Sequence, residues 1–343
     1  MIEFVGSSYE YQGEKLDSPT TIFIIDHHYN ELTHTFPVKQ LLENSICDPK
    51  LHTIIFDHVL QHDDILKDYN LVCLPMLMAN YTNQFVQHRI VPDWNNKTKT
   101  FNFMINKIRY HRTFMLMLLE HFDLNNYEYT LCWKNTNIPQ DAMCRQTNNT
   151  LYQTIIKESK LNFPTRQYLF GTERLLDQGL QYGSITNPQV YQRFLQKEVF
   201  EPSCISLVTE PVFFERETII TEKTIMAIYG GTVPVWVGGW RIADYMRDQG
   251  FDVFDDIVDH SYQDLADPWD RCYYAMEKNI NLLGDFDTVQ KFVYNNKHRL
   301  EANLKLLESN NFVNNCIQEV NNLPEKVKKD LESKLKWLTF NHK

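Results

Sequence analysis

The sequence predicts an α/β protein of two domains, and three observations carry that expectation. Residues 205–239 read as strand, loop, helix, glycine turn and strand, which is one parallel crossover. The N-terminal part holds three short apolar runs, two of which end in acidic and histidine residues, as strands do when they deliver side chains to a sheet edge. Beyond residue 260 the pattern turns helical, with charged faces.

In chain order, Met1 to Pro19 is polar and weakly patterned, and Thr21 to Ile25 is the first convincing strand, ending in Asp26, His27 and His28. Phe36 to Leu42 has helical spacing. His52 to Phe56 is a second strand, ending in Asp57 and His58, and Leu71 to Leu74 is a third before Pro75. The polar segment Pro92 to Lys99 carries a turn signal and marks the domain junction, so the first domain spans 1–94 and the second 99–300. Phe101 to Ile105 opens the second domain as a strand. The basic run Asn106, Lys107, Ile108, Arg109, Tyr110, His111, Arg112 follows, and then the apolar helix Thr113 to Phe122. A basic turn between a buried strand and a buried helix suits a diphosphate, which arginine can grip through two hydrogen bonds.

Tyr129 to Val199 is hard to pattern, with a helix at Leu151 to Glu158 and helical spacing again from Val190 to Phe200. The informative stretch comes next. Ile205 to Val208 is a short apolar strand that delivers Glu210 at its C-terminal end. Thr221 is a good N-cap for a helix opening at Glu222 and Lys223, whose apolar face is Ile225, Met226, Ile228 and Tyr229 and which Gly230 and Gly231 stop. Val233 to Val237 is the second strand of the crossover. A helix N-terminus with a lysine in its first turn is a site for an anion, and Glu222 beside it suits the hydroxyls of a sugar or ribose. The plainer reading is an acidic helix start beside a solvated lysine. Trp240 to Gln249 then reads as a helix, as do Asp267 to Leu283 and Val289 to Phe340, broken at Pro324; residues 301–343 form a helical C-terminal extension.

The order strand, Glu210, loop, Thr221-Glu222-Lys223, helix, Gly231-Thr232-Val233-Pro234-Val235 and Gly238 resembles the donor-site motif of the alpha-1,3-fucosyltransferases and related inverting glycosyltransferases of the GT-B fold. Asn106 and Arg112 repeat that family's spacing of an asparagine and an arginine entering a helix. Two departures stand out: Pro211 replaces the usual asparagine, and the loop Val212 to Ile220 is about two residues longer. The resemblance implies two Rossmann-like domains facing a cleft, with transfer of fucose from GDP-fucose to a hydroxyl of a glycan or glycoprotein acceptor. The mechanism it implies is inverting and metal-independent. It gives Lys223 and Arg112 the catalytic role of stabilising the departing diphosphate, and places Asn106, Lys107, Arg109, Arg112, Glu210, Thr221, Glu222 and Lys223 around the donor. The general base is open among Asp26, His27, His28, Asp57 and His58. No cofactor beyond the donor substrate is expected.

Composition fits such an enzyme and narrows the rest. A formal charge of -10 and the lack of a basic stripe argue against a nucleic-acid binder. No G-x-G-x-x-G follows a strand, which argues against a dinucleotide oxidoreductase. No leader pattern opens the chain, and the longest apolar run, Leu71 to Ala79, is too short to span a bilayer. The seven scattered cysteines, without a C-x-x-C pair, suit a reducing compartment, so the expected protein is soluble and cytoplasmic, of the bacterial or viral kind within the family it resembles. Asp255, Asp256 and Asp259 read as an acidic helix start before they read as metal ligands, and His58 with His62 lacks a third ligand; no metal site is expected. The competing functional class is a non-catalytic nucleotide-sugar or glycan-binding protein on the same fold.

Overall fold

Two parallel four-stranded sheets hold all the strands among the described residues. The computed structural model describes residues 2–5, 21–24, 53–56, 70–73, 79, 82, 85–86, 91–105, 110–131, 147–159, 199–210, 218, 220–323, 325 and 328–329. The first sheet has β1 (Ile2–Val5), β2 (Thr21–Ile24), β3 (Thr53–Phe56) and β4 (Asn70–Cys73) side by side in chain order. Its register runs Ile2 to Thr21, Thr21 to Thr53 and Thr53 to Asn70. β1 corrects the expectation of a weakly patterned N-terminus. Ile-Glu-Phe-Val is a real strand, but four residues are too few for alternation to show before a polar stretch.

The second sheet is ordered β6-β5-β7-β8. β5 (Lys99–Ile105) starts two residues before the expected Phe101, and α1 (Tyr110–His121) starts three before the expected Thr113. β6 (Tyr127–Leu131) falls where the sequence is hardest to read, because its alternating Tyr-Glu-Tyr-Thr-Leu mixes polar residues into an edge strand. Then come α2 (Thr150–Glu158), β7 (Ser203–Val208), α3 (Glu222–Tyr229) and β8 (Val233–Trp236). The chain passes from β5 to β6 on one side, and β7 then pairs with the other side of β5. The strand order therefore reverses between β5 and β7, and such a reversal leaves a crevice at the strand C-termini.

Helices cover both faces of this sheet, so its strands are apolar on both sides. Phe101 aligns with Ile205 and Val233, and Phe103 with Leu207 and Val235. These two rows join a core containing Phe114, Leu118, Trp269 and Val293. Met104, Val208 and Trp236 project to the opposite face, where they meet Ile225, Met226 and Tyr229 of α3.

The C-terminal part supplies α4 (Ile242–Asp248), a 3-10 turn at Ser261–Asp264, α5 (Pro268–Glu277), α6 (Ile280–Gly284), α7 (Phe286–Asn295), α8 (Lys297–Glu308) and α9 (Asn311–Asn322). Pro268 at the first turn and the Asp267 carboxylate accepting from the Trp269 and Asp270 amides explain where α5 starts. The expected helix over Trp240–Gln249 is shorter, because Arg241 takes a left-handed backbone at φ 45° just before α4. Residues 255–257 correct a second expectation. They form a single turn after Phe254, itself at φ 61°, and not a helix start. Asp255 binds Arg247 at 2.8 Å and Asp256 binds Arg299 at 2.8 Å, so both carboxylates serve arginines from flanking helices.

The segment Pro92 to Lys99, expected as a junction, has its turn, with the Asn95 amide donating to Asp93 at 2.9 Å, and its last residue already belongs to β5. It is also fastened to the second sheet. The Trp94 indole donates to the Gly231 carbonyl at 3.0 Å, and a side chain on Gly231, which sits at φ 64°, would collide with Trp94 and Pro92. Lys97 is buried and donates to the Phe200 carbonyl at 3.2 Å. Burial holds its ammonium down to a pKa of about 8, against the opposing pull of Cys204, Glu201 and Asp93. Among the described residues no helix is long and apolar enough to cross a membrane.

Candidate functional site

The site grows from the two strand ends that border the reversal in strand order. α1 follows β5 and α3 follows β7, so both helices begin at the C-terminal edge of the sheet, with the positive ends of their dipoles directed there. Arg112 lies in the first turn of α1. It is 3 % exposed, and its Nη2 donates across to the Thr209 carbonyl at the end of β7, at 3.4 Å. The guanidinium thus bridges the two central strands.

Glu210 follows Thr209 and is buried under the start of α3. Its Oε1 accepts from the Thr221 amide at 3.0 Å and from Thr224 Oγ1 at 2.6 Å, while its Oε2 accepts a short bond from the Thr221 hydroxyl. Three donors from one helix turn fill the carboxylate, so its work is to fix the helix N-terminus over the strand end. Thr221 is the N-cap, as its place in the sequence indicates, and its hydroxyl oxygen accepts from the Lys223 amide. The Lys223 ammonium returns to the same hydroxyl at 3.1 Å and reaches Glu222 Oε1 at 2.8 Å. Thr224 Oγ1 also accepts from the Trp236 indole at 3.0 Å, which ties the arrangement to β8.

Glu222 and Lys223 are mostly buried, with side chains 15 % and 11 % exposed, and this departs from the plainer reading of a solvated pair. Burial opposes ionisation of Glu222. The Lys223 charge and hydrogen bond outweigh it, with help from the helix start and the Arg112 guanidinium, and hold the carboxyl below its ordinary range. Arg112, Glu222 and Lys223 are therefore one electrostatic unit, assembled from residues 110 positions apart in the chain. Chemically it offers two fixed cations, two helix N-termini and one ionised carboxylate at the mouth of a parallel sheet.

Sequence reasoning missed Thr209 and Thr224. Thr209 Oγ1 is buried at the same strand end and has no hydrogen-bond partner among the described residues. Thr224 carried a local signal, since it sits three residues after the N-cap, on the side of the helix that faces the strand end. Asn106, Lys107 and Arg109 lie outside the described residues, and so do Asp26, His27, His28, Asp57, His58 and His62.

A cavity of about 460 Å³ opens around Asp244, Arg247, Asp255, Asp259, His260 and Asp264 and includes none of these residues. Its carboxylates are already paired: Asp244 and Asp255 with Arg247, Asp264 with Arg241, and Asp259 with Lys278. Those carboxylates are thus engaged by cations, and none of Arg112, Glu222 and Lys223 lines this cavity. Compared with known protein families, with curated proteins and with solved structures, the chain matches none.

Proposed function

We propose that the protein is an inverting, metal-independent glycosyltransferase of the GT-B type, which transfers fucose from GDP-fucose to a hydroxyl of a glycan or glycoprotein. The observation that carries this reading is the convergence of Arg112 with Glu222 and Lys223 where the strand order reverses between β5 and β7. A nucleoside diphosphate laid across that edge meets two helix N-termini and two cations. The Rossmann-like character of the second sheet belongs to the same reading, with the first sheet as the acceptor side facing it across a cleft.

In the reaction the acceptor oxygen attacks the anomeric carbon as its proton passes to a base, and the bond from that carbon to the diphosphate oxygen breaks with inversion. Negative charge gathers on the leaving diphosphate, where Lys223 and Arg112 are already held in place and need little reorganisation. Glu222 takes hydrogen bonds from ribose or sugar hydroxyls. The base comes from the first domain, with Asp26, His27, His28, Asp57 and His58 as candidates.

Thermal unfolding in the presence of a panel of nucleotide sugars tests the proposal. A donor present at about 100 times its Kd stabilises the fold by about 2.7 kcal/mol. GDP-fucose is expected to stand out, and no response to any nucleotide sugar would end the reading.

A further inference from the structure

The Lys223 ammonium is not a bare cation waiting for phosphate. Its bonds go to the Thr221 hydroxyl at 3.1 Å and to the Glu222 carboxylate at 2.8 Å, and the Glu222 side chain is only 15 % exposed. Arg112, the other cation at this edge, acts on the same carboxylate. An anion approaching Lys223 therefore meets a fixed negative charge within a few ångströms, in a setting where water screens poorly. The hydroxyl of Thr209, a residue 1 % exposed, is a second polar group at this strand end and has no hydrogen-bond partner among the described residues.

We propose that Glu222 is a selectivity filter of the anion site, one that rejects bare polyphosphates and admits phosphate esters carrying hydroxyl donors. The inference rests on the reading of the β5–β7 edge as a diphosphate site. A phosphate oxygen and the Glu222 carboxylate compete for Lys223, and like charges so close cost affinity. Inorganic pyrophosphate has nothing to offer the carboxylate in return. A ligand whose ribose or sugar hydroxyls donate to Glu222 compensates the carboxylate for its weakened bond to Lys223, and the repulsion turns into recognition. The same buried carboxylate thus lowers affinity for one class of anion and raises it for the other. Such a filter matters to any nucleotide-using protein, because free polyphosphates present the same charges without the rest of the substrate.

The test is calorimetric titration of inorganic pyrophosphate, and separately of GDP-fucose, into the unmutated chain, Glu222→Gln and Glu222→Asp. Glu222→Gln is expected to bind pyrophosphate about tenfold more tightly and GDP-fucose more weakly, with Glu222→Asp between the two because its charge is kept but its reach shortened. Glu222→Asp also keeps the test open if the glutamine variant fails to fold. Pyrophosphate affinity that is unchanged or lower in the variants overturns the filter, as does the absence of any pyrophosphate binding. If pyrophosphate tightens as expected while GDP-fucose does not bind, the rejection of polyphosphate by Glu222 stands, and both the admission of esters through it and the GDP-fucose reading fall. If GDP-fucose binds and pyrophosphate does not tighten, the filter falls and the GDP-fucose reading stands.

Discussion

Lys223 is placed to act and to support the fold at once, and the two roles can be separated. Lys223→Ala is expected to slow transfer by about 100-fold to 1000-fold, the usual loss when one preorganised charge donor is removed. Stability should also drop, by on the order of 1–3 kcal/mol, because the substitution leaves the buried Glu222 carboxylate with a weaker set of partners. The sign of the pH effect follows from Glu222. Its carboxyl is held below the unfolded value, so it contributes stability above that value, and the contribution disappears as pH falls through the folded-state pKa. Acid unfolding followed by circular dichroism should show this loss in the unmutated chain and a smaller one in Lys223→Ala. Lys97 works in the opposite direction. Its pKa of about 8 lies below that of a free lysine, so the unfolded chain binds more protons between about pH 8 and 10 and the fold gains stability as pH rises. The difference in unfolding free energy between the unmutated chain and Lys97→Met should change with pH across that window, by on the order of 3 kcal/mol in all. Taking the difference cancels the buried thiol of Cys272, whose raised pKa acts the other way, whereas the Cys204 thiol faces Lys97 and is pushed higher still once that charge is removed.

At the scale of elements, the decisive joint is between the end of β7 and the start of α3. Glu210 holds that joint through Thr221 and Thr224, so Thr224→Val should loosen the helix start without touching a ligand. It also strands the Trp236 indole, and a stability loss of about 1–3 kcal/mol is expected from denaturant unfolding. Much of this joint was legible in the sequence. The N-cap Thr221, the stop at Gly230 and Gly231, and the two flanking strands follow from local chemistry that acts within one turn. What stayed hidden is long-range. Nothing local says that Lys97 is buried against Phe200, or that Asp255 and Asp256 are fixed by Arg247 and Arg299 and so never start a helix. The edge strand β6 is hard to read because Glu128 and Thr130 break up its apolar residues, and β1 because it is only four residues long.

For the molecule as a whole, the order β6-β5-β7-β8 puts residues from distant parts of the chain at one edge. The sequence could name Arg112, Glu222 and Lys223 but not the bond from Arg112 to the Thr209 carbonyl, which depends on β7 pairing with β5 and not with β6. On the proposed function both cations address one ligand, so Arg112→Ala and Lys223→Ala should each weaken binding of free GDP, and the double variant should lose less than the product of the two effects. Equilibrium binding across the four proteins measures this, and strictly multiplicative losses would mean two separate sites. Transfer should also persist in excess EDTA, since the diphosphate charge falls to side chains and helix amides. Loss of activity that manganese restores would overturn the metal-independent mechanism.

α8 has one more consequence, for how the chain can be cut. Leu300 faces the core on one side of the second sheet, while Leu304 and Leu307, one and two turns later, face the core on the other. Arg299 and Asn303 meanwhile hold Asp252. A single helix thus rivets both halves of the fold across residue 300, where the sequence suggested that an appendage begins. An expression boundary drawn there would split the rivet, and a fragment ending at residue 300 should come out as insoluble material, whereas one ending at residue 323 should melt in a single transition.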